Sequence, residues 1–311
     1  MRVLLALGGN AMTAADGSAT PAAQIEAVGI AMQAAARLIA AGHDLVITHG
    51  NGPQVGNLLV KNELAAHVVP PVPLDWCGAQ TQGTLGFTIL NQLEAALAAR
   101  RAHRPVAALV TRVLVDGTDP GFTHPTKPIG RFLPAEQAAP LIEHGQVWQD
   151  RGERGWRRVV ASPEPLEIID VSAVRSLLGA GYAVCAAGGG GIPVVRDADG
   201  SLRGVEAVID KDLTAALLAR EVDADVLVIA TDVDHAAIGF GTPQQRNLER
   251  VTVSELRGYA AAGEFAAGSM GPKVDAAARF VERGGPRSVI TSLTHITDAV
   301  EGNFGTVIDH T

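Results

Sequence analysis

The chain has 311 residues, of which 47% are hydrophobic and 19% charged, and its formal net charge is −8. This length and composition are typical of a globular protein with a large core. The acidic balance disfavours nucleic acid and anionic membranes as partners, and no apolar run approaches the ~20 residues that span a bilayer. The two cysteines have neither metal-type spacing nor a disulfide framework. We therefore expect a soluble cytoplasmic protein.

Short apolar strands alternate with helical patterns along most of the chain. A helix is predicted to begin at Thr20-Pro21, where a capping residue precedes a proline, and a second begins at the capping box Thr252 to Glu255. Strands are predicted at 2–7, 45–48, 106–115, 183–187, 226–230, 289–290 and 306–308. This alternation predicts one α/β domain over residues 1–311, with a mostly parallel sheet that helices cover on both faces.

Residues 117–165 break this alternation. Prolines are frequent there, and Val147-Trp148 is predicted to pair with Trp156 to Val160 in a hairpin. We interpret the segment as a lobe inserted into the sheet domain, with Lys127 near its start.

Glycines cluster where predicted strands end or helices begin. They occur at Gly8-Gly9, Gly50-Asn51-Gly52, Gly188 to Gly191 and Gly268 to Gly271. Any one of these loops alone is best explained as an ordinary turn. Together, at the carboxyl ends of parallel strands, they predict a polyphosphate or small-anion site, because glycine lets the backbone N–H groups approach a ligand closely. Gly189 and Gly190 are among the candidate ligands.

Lysine is rare in this chain, with four lysines beside 21 arginines. Three of the four lie in compact motifs, at Lys127, Lys211 and Lys273. Most lysines in proteins only solvate a surface, but a compact, mobile cation also suits a phosphoryl oxygen whose position shifts during reaction. We expect these three lysines to converge on a phosphate. Asp212 follows Lys211 at a predicted helix start, where it can cap the helix, hold the ammonium groups, or do both.

The common catalytic and nucleotide motifs are missing. No lysine directly follows a glycine as in a Walker motif, and Pro193 breaks a dinucleotide-binding fingerprint. No Ser-His-Asp set, carboxylate pair or metal-type histidine spacing is present; His49 is interpreted as a group that orients a loop, and Cys77 and Cys185 as core thiols. An acceptor that is already an anion, such as a carboxylate or carbamate, needs no base. Lysines, backbone N–H groups and Mg²⁺ carried by a nucleotide would then suffice, without a metal site on the protein.

Several of these motifs together resemble the amino acid kinase superfamily and, within it, the carbamate kinases. The likeness runs from end to end. The matching segments are 6–11 (ALGGNA), 49–56 (HGNGPQVG), 74–83 (LDWCGAQTQG), 125–130 (PTKPIG), 188–194 (GGGGIPV), 206–213 (EAVIDKDL) and 268–274 (GSMGPKV). The lobe at about 117–165 looks like the protruding subdomain of carbamate kinases.

The resemblance implies a three-layer αβα sandwich and reversible phosphoryl transfer between ATP and carbamate, with Mg²⁺ on the nucleotide, in a homodimer. Lys211 and Lys273 would stabilise the transferring group, Asp212 would orient them, and Lys127 would reach in from the lobe. Carbamate and phosphate would be held by Gly8, Gly9, Asn10, Gly50, Asn51 and Gly52. Nucleotide contacts would come from Thr231, Asp232, Val233, Phe240, Gly241 and Met270.

Two positions depart from the pattern of the family, and two other functions compete. Arg112 stands where glutamine is expected, and His235-Ala236-Ala237 is unusual after Asp234. One alternative is another enzyme of the superfamily, with a different carboxylate or a phosphonate as acceptor. The other is a non-catalytic sensor that binds the nucleotide or carbamoyl phosphate, although Lys211, Asp212 and Lys273 are all present. A dehydrogenase is a more distant alternative.

Overall fold

The computed structural model describes residues 1–9, 20–266 and 268–310. Its strands are β1 (Arg2–Leu7), β2 (Asp44–His49), β3 (Val106–Ala108), β4 (Arg112–Leu114), β5 (Lys127–Leu133), β6 (Trp148–Asp150), β7 (Trp156–Val160), β8 (Glu167–Ile168), β9 (Ala183–Cys185), β10 (Ile192–Arg196), β11 (Leu202–Gly204), β12 (Val226–Thr231), β13 (Ala237–Ile238), β14 (Arg246–Asn247), β15 (Arg250–Thr252), β16 (Arg287–Ser292) and β17 (Thr306–Asp309). Its α-helices are α1 (Pro21–Ala40), α2 (Gly52–Ala65), α3 (Leu74–Ala99), α4 (Ala135–Glu143), α5 (Val171–Gly179), α6 (Lys211–Glu221), α7 (Val253–Ala261), α8 (Met270–Glu282) and α9 (Ile296–Glu301).

The central sheet has eight strands in the order β15-β17-β16-β12-β1-β2-β9-β3. Its neighbouring strands run parallel apart from the antiparallel pair β16–β17. The mostly parallel sheet predicted from the alternating strands and helices is therefore confirmed. Parallel strands at the centre of the sheet end at one edge, where the loops that follow them can form a site.

Strand β1 shows how helices cover both faces of this sheet. Because side chains alternate across a strand, Leu4 and Ala6 point into one core, together with residues of α5, α6, α7 and α8. Val3 and Leu5 point into the opposite core, together with residues of α1, α3 and α9. The result is the three-layer αβα sandwich that the family resemblance implied.

The predicted single strand from Val106 to Val115 is wrong. The chain leaves the central sheet after Ala108 and enters a second sheet, of order β11-β10-β4-β8, at Arg112. The interruption has a local cause at Thr111. Its amide donates a hydrogen bond of 2.8 Å to the Oε1 of Gln82 rather than to a neighbouring strand. The same second sheet contains the hairpin β10–β11, which turns at Gly200.

A third sheet, of order β5-β7-β6, lies within the segment that is predicted to be an inserted lobe. Strands β6 and β7 pair with Trp148 opposite Arg158, so the predicted hairpin is confirmed. The pairing of β5 with β7 shifts register at a bulge that contains Gly130, which has φ +67°. Gly130 packs closely against Gly56 of α2, since a Cβ on Gly56 would lie 3.4 Å from its Cα. We call residues 127–160 the lobe; a boundary at about 117–165 stays a prediction.

The predicted helix starts are also present. The Thr20 side chain accepts a hydrogen bond from the amide of Ala23 ahead of α1, and Thr252 and Glu255 form a capping box on α7. In the described ranges, none of the helices combines the length and the apolar character needed to cross a bilayer.

Candidate functional site

Two cavities open where neighbouring strands of the central sheet end. Strands β12, β1, β2 and β9 are adjacent and parallel, and the glycine loops after β1, β2 and β9 lie at the same edge. One cavity, of about 590 Å³, is lined by Lys127, Lys211 and Lys273 among others, and we call it the lysine cavity. The other, of about 960 Å³, lies beside the end of β12, and we call it the β12 cavity. Both have the size of small-molecule sites.

The lysine cavity carries an excess of positive charge in an acidic protein. Five cationic and two anionic side chains line it: Lys127, Arg131, Arg157, Lys211, Lys273, Asp210 and Asp212. The amino-terminal ends of α2, α6 and α8 also border it, which adds backbone N–H groups and the positive end of each helix dipole. A cleft with these properties attracts small anions.

Asp212 joins two of the lysines. Its carboxylate accepts hydrogen bonds from the Nζ of Lys211 at 2.5 Å and from the Nζ of Lys273 at 3.2 Å. Burial alone would raise the pKa of Asp212, but the two ammonium groups offset it and hold that pKa below its usual value. Asp212 is only 3% exposed, and its two lysine partners keep it charged as the anchor of both.

Asp210 has a different task from Asp212. Its side chain caps α6 by accepting from the amides of Asp212 at 2.9 Å and Leu213 at 3.4 Å. Its second oxygen accepts a hydrogen bond of 2.6 Å from the Nζ of Lys127, which projects from the lobe. The helix cap predicted as one possible role of Asp212 therefore belongs to Asp210, which was not among the predicted site residues.

The glycine loop after β9 needs glycine because other parts of the site lie against it. A Cβ on Gly189, which has φ +68°, would lie 2.1 Å from the Nδ2 of Asn51. Ala187, two residues before Gly189, has φ +53°, a strained conformation for a residue with a side chain. Hydrogen bonds of 3.0 Å from the hydroxyl of Thr48 to its carbonyl and from its amide to the hydroxyl of Thr111 hold it there.

His49 is buried behind this loop and is neutral. Burial lowers the pKa of His49 to about 4, the hydrogen bond with the carbonyl of Gly50 raises it in part, and the charge of Lys211 lowers it further. The ring Nδ1 lies 2.9 Å from that carbonyl oxygen. A group with these surroundings fills space and fixes the loop. It is not placed to accept a proton from a substrate.

Side chains of α3 position the loops from behind. The Nδ2 of Asn51 donates to the hydroxyl of Thr81 at 2.9 Å, and the Nε2 of Gln82 donates to the carbonyl of Gly188 at 2.9 Å. Both α3 residues are buried, and neither was among the predicted site residues. The signal available in the sequence was only their place in the segment 74–83 that resembles the family.

The predicted phosphate-binding glycines divide between the two cavities. Gly50, Asn51, Gly52 and Gly189 line the lysine cavity, and Gly8 lines the β12 cavity. Gly190 is not among the lining residues; its carbonyl instead accepts a hydrogen bond of 2.9 Å from the Thr214 hydroxyl of α6. Asn10 lies outside the described residues.

The β12 cavity contains most of the residues predicted to contact a nucleotide. Thr231, Asp232, Val233, Phe240 and Met270 line it. The side chain of Phe240 is 73% exposed, so an aromatic face is available to a ligand. Gly241 follows Phe240 in an exposed turn and is not among the lining residues. Its amide donates a hydrogen bond of 2.9 Å to the Oε1 of Gln245, which does line the cavity.

The two cavities meet. Gly9, Gly268, Ser269 and Lys273 line both of them. A ligand in the β12 cavity can therefore reach a ligand in the lysine cavity at the ammonium group of Lys273. Among the described residues, no cluster of three or more His, Cys, Asp or Glu side chains is suited to hold a metal ion.

The two positions that depart from the family pattern lie in different places. Arg112 forms a forked ion pair with Asp170, with contacts of 2.7 and 3.2 Å, and so ties β4 to the start of α5. His235 lines the β12 cavity, and its ring centroid lies 5.0 Å from that of Phe304. Arg112 is thus explained by structure alone, whereas His235 borders a candidate ligand site.

Comparison with known proteins agrees with this geometry. A model of the amino acid kinase family matches residues 1–292. A carbamate kinase of Pyrococcus furiosus is 44% identical over 99% of this chain and 98% of its own, and the carbamate kinase-like protein YqeA of Escherichia coli is 45% identical over the same shares. The solved structure of a carbamate kinase from Giardia lamblia bound to AMP-PNP superposes with a TM-score of 0.93 at 41% identity, covering 100% of this chain and 98% of that one.

Proposed function

The chain belongs to the amino acid kinase family, and we propose that it is a carbamate kinase, an enzyme that transfers a phosphoryl group reversibly between ATP and carbamate. In the direction that makes ATP, ADP and carbamoyl phosphate are the substrates, and the carbamate released decomposes to ammonia and carbon dioxide. The observation that carries this proposal is the meeting of the two cavities at Lys273. ADP in the β12 cavity and carbamoyl phosphate in the lysine cavity would face each other across that ammonium group.

The reaction needs no general base. An oxygen of the β-phosphate of ADP attacks the phosphorus of carbamoyl phosphate, the bond from phosphorus to the carbamate oxygen breaks, and carbamate leaves as an anion. Because neither group exchanges a proton with the protein, catalysis consists of alignment and neutralisation of charge on the transferring group. The neutral, buried His49 is consistent with this chemistry.

Lys211 and Lys273 are the groups that neutralise this charge in our proposal. The carboxylate of Asp212 lies 2.5 Å from the Nζ of Lys211 and 3.2 Å from the Nζ of Lys273. It therefore fixes the orientation of both ammonium groups. A phosphoryl group that approaches from the other side would find both cations already in place. Such pre-organisation is what makes electrostatic catalysis effective.

The remaining roles follow the lining of the cavities. Lys127 would contact the carbamate side from the lobe, and the backbone of Gly9, Gly50, Asn51, Gly52 and Gly189 would bind oxygens of carbamoyl phosphate. Thr231 to Val233, Phe240 and Met270 would contact the nucleotide. Mg²⁺ would arrive with the nucleotide as part of the substrate. We further propose that the enzyme acts in the cytoplasm as a homodimer.

Formation of ATP from ADP, Mg²⁺ and carbamoyl phosphate tests the proposal, with hexokinase and glucose-6-phosphate dehydrogenase as the readout. We expect ATP with the wild-type protein and a loss of turnover with Lys273→Ala. Absence of ATP with the wild-type protein, when calorimetry still detects ADP binding, would contradict the proposed function. The acceptor would then be a different carboxylate, or the protein would be a sensor.

A further inference from the structure

Arg157 brings a further cation to the lysine cavity from the lobe. It lies on β7 and lines this cavity together with Lys127 of β5. Its neighbour Arg158 lines a separate cavity on the other side of the strand, as the alternation of side chains along a strand requires. The position of Arg157 toward the lysine cavity is therefore fixed by the register of the lobe sheet.

Arg157 differs from the other cations of this cavity in having no acidic partner. Each of the others is paired: Lys127 with Asp210 at 2.6 Å, Arg131 with Glu63 at 3.2 Å, Lys211 with Asp212 at 2.5 Å, and Lys273 with Asp212 at 3.2 Å. Within the described ranges, no carboxylate forms an ion pair with Arg157, and its fully buried Nε has no hydrogen-bond partner. Burial lowers the pKa of Arg157, and the nearby charges of Arg154 and Arg151 lower it further.

The aromatic ring of Phe132 holds this guanidinium in place. The Cζ of Arg157 lies 4.9 Å from the ring centroid, and the two residues are opposite each other on β7 and β5. Arg154 contacts the same ring at 4.6 Å but does not line the lysine cavity. A cation–π contact orients a guanidinium but satisfies none of its N–H donors.

Arg157 lines the cavity without a carboxylate partner in the described part of the chain, and an anion with two oxygens is the partner that matches the fork of a guanidinium. The other anions available in this cavity, Asp210 and Asp212, are already engaged by lysines. We propose that Arg157 binds the non-bridging phosphoryl oxygens of carbamoyl phosphate, and so completes the substrate site from the lobe side. This inference rests on the proposed function for the identity of the substrate.

The lobe is held in a position that suits this role. The bulge of β5 at Gly130 packs against Gly56 of α2, and α2 begins at the cavity with Asn51 and Gly52. Lys127 extends from the same strand to Asp210, which caps α6. Both contacts fix β5 relative to the catalytic lysines, and β5 carries β7 and Arg157 with it through their pairing.

Steady-state kinetics of Arg157→Gln and Arg157→Lys test the inference, with Arg154→Gln as the matched control on the same ring. We expect Arg157→Gln to raise the KM for carbamoyl phosphate by about 10- to 100-fold, the range of one charge-assisted hydrogen-bonded contact, while the KM for ADP changes less than about twofold. Arg157→Lys keeps the charge but loses the fork, so its KM should lie between. Arg154→Gln should leave both values unchanged.

Calorimetric titration with inorganic phosphate at constant ionic strength separates this inference from the proposed function. Phosphate binding that Arg157→Gln weakens would support the role of Arg157 even if the wild-type protein formed no ATP. Unchanged phosphate affinity and an unchanged KM for carbamoyl phosphate in Arg157→Gln would overturn it. An equal rise in both KM values, with a lowered thermal midpoint in Arg157→Gln and Arg157→Lys alike, would assign Arg157 a structural role and overturn it as well.

Discussion

Replacement of Lys211 by methionine removes one charge and little else. A Cβ on Gly50 would lie 3.3 Å from the Cδ of Lys211, so the stem of the lysine packs along the glycine loop, and methionine keeps most of that stem. Asp212 retains Lys273 as a partner at 3.2 Å and is not left as an unpaired buried charge. The variant should therefore fold.

The expected loss of turnover follows from the surroundings of the ammonium group. The Lys211 side chain is 15% exposed, so an effective dielectric constant near 20 applies rather than that of water. A unit charge about 4 Å from the transferring phosphoryl group then contributes about 4 kcal/mol, which corresponds to roughly a 10³-fold fall in kcat. Lys211 does not line the β12 cavity, so the affinity for ADP should stay within about twofold of wild type, far less than the tenfold that 1.4 kcal/mol would cause.

The hexokinase-coupled assay gives kcat, and calorimetry gives the Kd for ADP. Lys61→Met is the matched control, since Lys61 lies exposed on α2 and lines neither cavity. A fall in kcat of less than about tenfold in Lys211→Met would refute the placement of this charge at the transferring group. A comparable loss in both kcat and ADP affinity would mean that the two cavities do not bind the two substrates separately.

Three further perturbations test other parts of the site. Asp212→Asn should abolish most turnover and lower the free energy of unfolding in urea by about 1–3 kcal/mol, because two partly buried ammonium groups lose their shared anion; an unchanged midpoint would count against that pairing. The pKa of His49 in the folded protein, about 4, lies below its unfolded value of 6.5, so the stability that His49 contributes is present above pH 6.5 and is lost, by about 3 kcal/mol, as the pH falls toward 4. Its ring resonances in NMR should not titrate between about pH 5.5 and 8, whereas a midpoint near the ordinary 6.5 would contradict its burial. Gly189→Ala should displace Asn51 and raise the KM for carbamoyl phosphate. Gly200 also has a positive φ but has open space around it, so Gly200→Ala should lower the thermal midpoint and leave this KM unchanged.

The strand ends and their glycines could be predicted from the sequence because each signal is local. An apolar run followed by Gly8-Gly9 or by Gly50-Asn51-Gly52 identifies a strand and its loop without any knowledge of the partner strands. The parallel arrangement then brings those loops to one edge. The rarity of lysine likewise identified Lys211 and Lys273 as site candidates without knowledge of the fold. The two meet at Asp212, although 61 positions separate Lys273 from that carboxylate.

Arg157 and the buried α3 side chains could not be predicted in this way. Arg157 is one of 21 arginines, and only the register of β7 against β5 distinguishes it from Arg158. Gln82 acts through hydrogen bonds to backbone groups at Thr111 and Gly188, 29 and 106 positions away. Gln82 also interrupts the strand that the run from Val106 to Val115 predicts, because its Oε1 replaces a neighbouring strand as the acceptor for the amide of Thr111.

The distribution of lysine also determines how the protein responds to amine-directed chemistry. Acylating reagents attack the neutral amine, and the chain offers them four lysine side chains besides its amino terminus. Lys61 is exposed and should react first, whereas Lys127, Lys211 and Lys273 are less accessible and each lies against a carboxylate. Acylation of these three should follow that of Lys61 and track inactivation, and peptide mapping over time would separate the modified positions.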